Sequence, residues 1–358
     1  MGLRLYWVNQ LVHVLPPTHL YRFKARLFRW AGLDIDLTTR LVSSVSIWGQ
    51  MPLHIGRDTF VGHEVLIVGA TGYIGRAVVA ESVRQGYDVI AVTRSPKKDS
   101  AFDGAEVVVA DVADPASIAK LFERKVDVVI SCLATRSGLP RDFDDIDYKA
   151  TLNVLNAAQK SGTGKFILLS AICVRKPELP LQLAKLKMED ALMRSGIDYT
   201  IVRPTAYFWV FDSQTRRIAQ GNPGFVVGTG DQSRHNPIAK EDLAEFMVSS
   251  IGDSERRNRI FILGGPEVPD NIVTYREALM MTFEALGREP RIISIPGWMF
   301  TALIRISWFI GLFIRRVAVF SGFLNVVHYY MVNDMRAPGY GSATLRQYLI
   351  DTNRNAQT

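Results

Sequence analysis

From residue 64 onward, short apolar runs alternate with stretches of helical periodicity. Val65–Val68, Val89–Val92, Val107–Ala110, Val126–Ser131, Phe166–Ser170 and Tyr199–Arg203 have strand length and are rich in Val, Ile and Leu. Strands covered by helices on both faces read this way, because neither face meets water. With right-handed crossovers, the alternation predicts a doubly wound parallel sheet with a ligand crevice at the carboxyl ends of its strands. Beyond Arg203 the pattern loosens. Glycine and proline turns fill Gly221 to Gly230, helix returns near Glu241 to Ile251, and a strongly apolar tail follows.

The first sixty residues follow other rhythms. "LYRFKARLFRW" (20–30) alternates aromatic or leucine positions with Arg and Lys. It predicts a basic amphipathic helix that either rests on a membrane or packs on the main domain with its basic edge in water. Ile35, Leu41 and Ile47, then Ile55, Val61 and Ile67, fall six apart, with a two-residue interruption between the sets. Together with "LHIGRDTFVGHEVLI", this resembles the opening coils of a left-handed β-helix acyltransferase over about the first 67 residues. Stacked coils need several repeats to bury their faces, and here the rhythm stops before a later acyltransferase site. The expectation is a small accessory arm without acyltransferase activity.

The strongest chemical signal is "EVLIVGATGYIGRAVVAESVRQGYDVIAVTRS" (64–95). A buried strand runs into Gly69, Gly72 and Gly75 and then a helix. Residues without Cβ permit a tight turn and close approach of a pyrophosphate, and the helix N-terminus offers free N–H groups. Gly69, Thr71, Gly72, Tyr73, Ile74 and Gly75 are therefore candidate cofactor contacts. Where an NAD enzyme would place an acid for the ribose hydroxyls, the second strand ends at Thr93 and Arg94, with Ser95 and Lys97 behind. A guanidinium there suits a ribose 2′-phosphate, so the cofactor is expected to be NADPH. Asp111 and Val112 after the third strand would flank the adenine. Leu133 and Ala134 after the fourth would lie beside the nicotinamide ribose. The resulting division is an arm at 1–63, a nucleotide-binding domain at 64–204 and a substrate-capping region at 205–358.

Composition narrows the class. Forty-eight per cent of the 358 residues are apolar, ample for a core plus an appended unit. The net charge of +7 suits an anionic cofactor, an anionic substrate or a membrane surface. Nucleic acid is not expected, since the basic residues are dispersed and no reading module is evident. Two cysteines, Cys132 and Cys173, lack metal-ligand spacing and suit a reducing cytoplasm. No secretory signal is evident. No metal site is expected. Ile292 to Ile314 carries only Arg305 as a charge but is interrupted by Pro296 and Gly297. It reads as an apolar lid or a peripheral membrane contact rather than a spanning helix.

The glycine pattern, the "RP" after the sixth strand and "LAKLKMEDAL" resemble the atypical short-chain dehydrogenase/reductase superfamily over roughly Glu64 to Leu263. The resemblance makes Lys185 the catalytic lysine and Glu189 the glutamate after it, with Lys187 as the nearby alternative. Four residues before Lys185, where the family's tyrosine acid would stand, the chain has Leu181. Leucine exchanges no protons, so alcohol–ketone chemistry is disfavoured and carbon–carbon double-bond reduction becomes attractive. Further phrases, "SCLATRSG", "DYKATLNVLNAA", "FILLSAICVRKP", "YTIVRPTAYF", "GNPGFVVGTGDQSRHNPIAKEDLAEFM" and "PGYGSATLRQYL", resemble the NADPH-dependent divinyl chlorophyllide 8-vinyl reductases, over about Glu64 to Ile350.

That resemblance implies a tetrapyrrole substrate whose 8-vinyl group is reduced to ethyl. It implies Lys185 on the ribose and Pro204 against the nicotinamide, with Thr205 and Tyr207 toward substrate. Tyr207 is the candidate proton donor or a pocket wall. Ser170 would hydrogen-bond cofactor or substrate, or cap its strand. His235 and His328 are expected to be structural. Two other readings share the cofactor half: another NADPH reductase of the superfamily, and a non-catalytic NADPH-binding sensor or assembly protein.

Overall fold

The computed structural model describes residues 2–15, 20–41, 45–48, 53–57, 60–61, 63–96, 99–135 and 139–357. Lys97 and residues 136–138 of the "SCLATRSG" phrase lie outside them.

Seven parallel strands form the central sheet: Glu64–Val68, Asp88–Thr93, Glu106–Val109, Val128–Ser131, Lys165–Leu169, Asp198–Pro204 and Arg259–Leu263. Counted along the chain, their order is 7-6-5-4-1-2-3. Alternate residues of one strand feed opposite layers. Val65 and Ile67 pack with Val78, Ile167 and Leu243 on one face, while Leu66 and Val68 pack with Ile90, Val154 and Ile201 on the other. This two-sided burial is why the strands read as continuous apolar runs. The first strand runs beside both the second and the fourth, so the topological switch lies at its carboxyl end.

The seventh strand escaped the sequence reading. "RIFIL" is an edge strand, exposed at Arg259 and Ile260 and only half-buried at Phe261 and Ile262, and the chain reaches it only after a long excursion. The segment after residue 204 is therefore not all cap, because Arg259–Leu263 returns to the sheet in register with Thr200–Pro204. The rest carries helices Asp212–Ala219, Tyr275–Ala285 and Leu345–Gln357, and an apolar hairpin, Gly297–Gly311 and Arg315–Val332.

The arm has a core of its own. Helices Gly2–Val14 and Tyr21–Trp30 bury Leu5, Val8, Val12, Ala25 and Phe28 against Leu33, Ile35 and Leu41. Ile35 stacks in parallel opposite Ile55, and Leu41 opposite Val61. The six-residue rhythm thus closes one coil and goes no further, because its last position, Ile67, belongs to the central sheet rather than to the arm. Helix Tyr21–Trp30 packs by Ala25 and Phe28 but also buries Lys24, whose Nζ reaches the Leu41 carbonyl at 3.4 Å. Burial lowers that ammonium to about 8. No helix among the described residues is long and apolar enough to cross a membrane.

Candidate functional site: the carboxyl edge of the sheet

The glycine turn is built by exclusion of side chains. Gly69 has φ +75°, and a Cβ there would lie 2.6 Å from the Cys132 carbonyl carbon on the neighbouring strand end. A Cβ at Gly75 would lie 2.1 Å from the Gly69 oxygen. Gly72 caps helix Tyr73–Arg84 with extended backbone and no side-chain cap, leaving the first-turn amides for an anion. Ile74 is buried in the core beneath the turn, while Thr71 and Tyr73 are half-buried at its rim. These features fit a dinucleotide pyrophosphate.

Arg94 is exposed just past the second strand and makes no ion pair among the described residues. That placement fits a 2′-phosphate. The Asp111 carboxylate accepts from the Ala113 N–H at 2.9 Å, shaping the turn, and Val112 is buried. Asn153 holds this loop through the Val112 and Ala113 carbonyls, both at 3.3 Å. Leu133 is half-buried and Ala134 exposed beyond the fourth strand.

Lys185 sits on helix Pro180–Met193 with its Nζ 3.0 Å from Asp147 Oδ1. The approach is an ion-pair contact outside hydrogen-bond alignment, which leaves Oδ1 without a hydrogen bond. Asp147 Oδ2 accepts the Thr135 N–H at 3.0 Å. The pair shares a small recess with Leu133, Thr151, Ser170 and Met188. Asp147 was missed in the sequence, although an acid entering a helix beneath strand ends is a usable signal. Lys187, by contrast, is exposed and pairs with Asp144 at 3.3 Å. Leu181 is half-buried one turn before Lys185 and brings no proton-exchanging group.

Glu189 is buried and clamped. It accepts from Arg203 Nε at 3.1 Å, from Arg203 Nη2 and from the Ser170 hydroxyl. Ser170 therefore lines the recess with its donor already committed, and Arg203, a charge ending an apolar strand, finds its partner in Glu189. Pro204 is buried as the last residue of that strand. Thr205 is placed differently from the expectation of substrate contact: it is buried, and its hydroxyl donates to the Asn236 carbonyl at 2.7 Å.

Tyr207 has its ring 6.1 Å from Tyr73 and lies in electrostatic reach of Cys132 and Cys173. Burial raises its phenol well above the ordinary range, so it stays protonated at neutral pH. Tyr330, from the apolar hairpin, shares a hydrogen bond with the Cys173 thiol and is raised by the same cause. Burial pushes Cys132 up to about 12, with Lys185 opposing. His235 is buried beside Ser233, 3.0 Å from its hydroxyl, and burial lowers it to about 4. His328 stacks on Phe300 at 5.9 Å. Among the described residues no cluster of His, Cys, Asp or Glu could hold a metal.

Residues 69–254 match the NAD(P)H-binding family. The chain is 34% identical to the chloroplastic divinyl chlorophyllide a 8-vinyl-reductase of Arabidopsis thaliana, covering 92% of this chain and 84% of that one. It is 36% identical to the Zea mays protein of the same name, over 79% of this chain and 78% of that one. Among solved structures, an NADPH-dependent quinone oxidoreductase from Escherichia coli, in complex with NADPH, shares the fold at TM-score 0.61 and 18% identity, over 82% of this chain and all of that one. With its glycine turn, basic second-strand end and recessed lysine, the chain is an NADPH-dependent oxidoreductase belonging to the divinyl chlorophyllide a 8-vinyl-reductase family.

Proposed function

We propose that this protein reduces the 8-vinyl group of a 3,8-divinyl chlorophyllide or protochlorophyllide to ethyl. The observation that carries the reading is the pairing of a recessed, charge-compensated Lys185 with Leu181 where a proton-exchanging tyrosine would stand. Bound NADPH supplies the hydride. The Gly69–Gly75 turn and the amides of helix Tyr73–Arg84 bind the pyrophosphate, and Arg94 takes the 2′-phosphate. Asp111, Val112, Leu133 and Ala134 form the shelf for the nucleosides. Lys185, held by Asp147, orients the ribose, and Pro204 backs the nicotinamide.

Hydride addition to a vinyl terminus conjugated with a macrocycle spreads charge into the ring, so no oxyanion-stabilising phenol is needed at the reacting carbon. A proton must still arrive. Tyr207 fills this role in our reading, since burial keeps its phenol protonated beside the strand ends. Apolar surface on the carboxyl-terminal hairpin supports peripheral contact with a membrane.

The test is the absorption spectrum of 3,8-divinyl chlorophyllide incubated with the protein and NADPH, with NADH and protein-free controls. A blue-shifted Soret band with matching NADPH oxidation is the expected result. An unchanged spectrum with NADPH bound and intact would replace this reading with a sensor or a reductase of another substrate.

A further inference from the structure

The hairpin of helices Gly297–Gly311 and Arg315–Val332 leaves one face without a partner. Its inner face is closed: Phe300 stacks on His328, and at the tip a Cβ on Gly311 would lie 2.8 Å from Ala318 Cα. Its base is anchored, since the Tyr329 hydroxyl donates to the Lys176 carbonyl at 2.7 Å, with the Cys173 carbonyl 3.1 Å away as the alternative acceptor. The outer face is strongly apolar yet open to solvent. Phe313 is 80% exposed and Trp298 74%, with Trp308, Phe309, Leu312 and Phe323 each more than half exposed. The first helix fully buries only Phe300 and Ser307, with Ile304 packed half-buried beside Phe300 and Leu324. So large a continuous apolar surface marks an interaction site.

Charge identifies what covers it. No Asp or Glu occurs between Glu289 and Asp334, whereas Arg305, Arg315 and Arg316 stand among the apolar residues. Arg315 and Arg316 are exposed at the tip beside Phe313. Tryptophan and arginine flanking a greasy face suit the boundary between acyl chains and headgroups, where indole and guanidinium stay wet while their stems are buried. A second copy seated symmetrically on this face would bring the same arginines together with no acid from either hairpin. Neither helix is long and apolar enough to span a bilayer: the first has only 15 residues, about 22 Å against a hydrocarbon core of roughly 30 Å.

We infer that the hairpin is an interfacial anchor that lies in the surface of a bilayer carrying anionic headgroups, with its base at the carboxyl edge of the sheet. The inference deepens the peripheral membrane contact proposed above. The anchor holds the strand ends near the lipid surface, where an apolar planar substrate would partition.

The full chain is incubated with phosphatidylcholine vesicles, with and without phosphatidylglycerol, and bound protein is read by co-sedimentation. Tryptophan quenching by brominated acyl chains reports depth. Capture is expected on the anionic vesicles, with shallow quenching. F309E/F313E should weaken partition at least about tenfold, as loss of two buried rings requires, and R315Q/R316Q should weaken it about tenfold on anionic vesicles only. Both sites are exposed, and unchanged NADPH binding certifies the fold of each variant. Absence of capture, capture that both variants retain, or a dimer that F309E/F313E dissociates would each overturn the anchor. Vesicle capture is measured without turnover, so a failed vinyl-reduction assay leaves this result standing on its own.

Discussion

Lys185 and Asp147, from helices far apart in the sequence, meet at 3.0 Å beneath the strand ends, with Asp147 wholly buried and Lys185 nearly so. Each is the countercharge of the other. Lys185→Ala should cut turnover on the order of a hundredfold, the scale of misplacing a bound reactant by about an ångström. Asp147→Ala strands a buried ammonium and should cost about 3 kcal/mol of stability. Single-turnover kinetics and denaturant melts check the two. Full activity in the Lys185 variant would remove the lysine from the site.

Gly75→Ala is a steric test of the phosphate turn. Its Cβ would press on the Gly69 carbonyl at 2.1 Å, backbone that has nowhere to move without opening the turn. We expect a stability loss of about 1–3 kcal/mol and weakened NADPH binding, read by fluorescence titration. An alanine variant that binds NADPH normally would show that the turn does not cradle it.

Arg94→Ala tests cofactor choice. A charge-assisted contact to the 2′-phosphate is worth about 1.5–3 kcal/mol, so NADPH should weaken roughly ten- to a hundredfold while NADH barely changes. Equal losses for both cofactors would sink the assignment.

Tyr207→Phe removes the proposed proton while keeping the ring against Tyr73. The vinyl-reduction rate should fall by about a hundredfold or more, with NADPH affinity intact. A solvent isotope effect lost together with the hydroxyl would tie the phenol to the proton step, and an unchanged rate would move that step to another group such as Tyr330.

His235 predicts a pH dependence of stability. Burial lowers its folded pKa from 6.5 to about 4, so the unfolded chain binds the extra proton first. The contribution is fully present above pH 6.5 and is lost as pH falls toward 4, amounting to about 3 kcal/mol. His235→Gln should flatten the melting-temperature profile across that window. A profile as steep as that of the parent would assign the acid sensitivity to other groups.

The succession of the first six strands along the chain, the glycine turn and the basic end of the second strand were legible in the sequence because each depends on local chemistry. A strand buried on both faces must be apolar throughout, a backbone that lets phosphate approach must lack Cβ, and a 2′-phosphate needs a nearby guanidinium. The six-residue rhythm of the arm was legible for the same reason, since stacked coils repeat their inward positions.

The tertiary structure decided what depends on pairing across distance. It set Asp147 against Lys185 and Arg203 against Glu189, and committed Ser170 and Thr205 to partners inside the protein. It returned Arg259–Leu263 to the sheet edge and left one face of the hairpin uncovered. A sequence records that a residue is charged or apolar. Whether the charge is compensated, or the apolar face covered, depends on what distant segment folds against it, and only the packed chain supplies that neighbour.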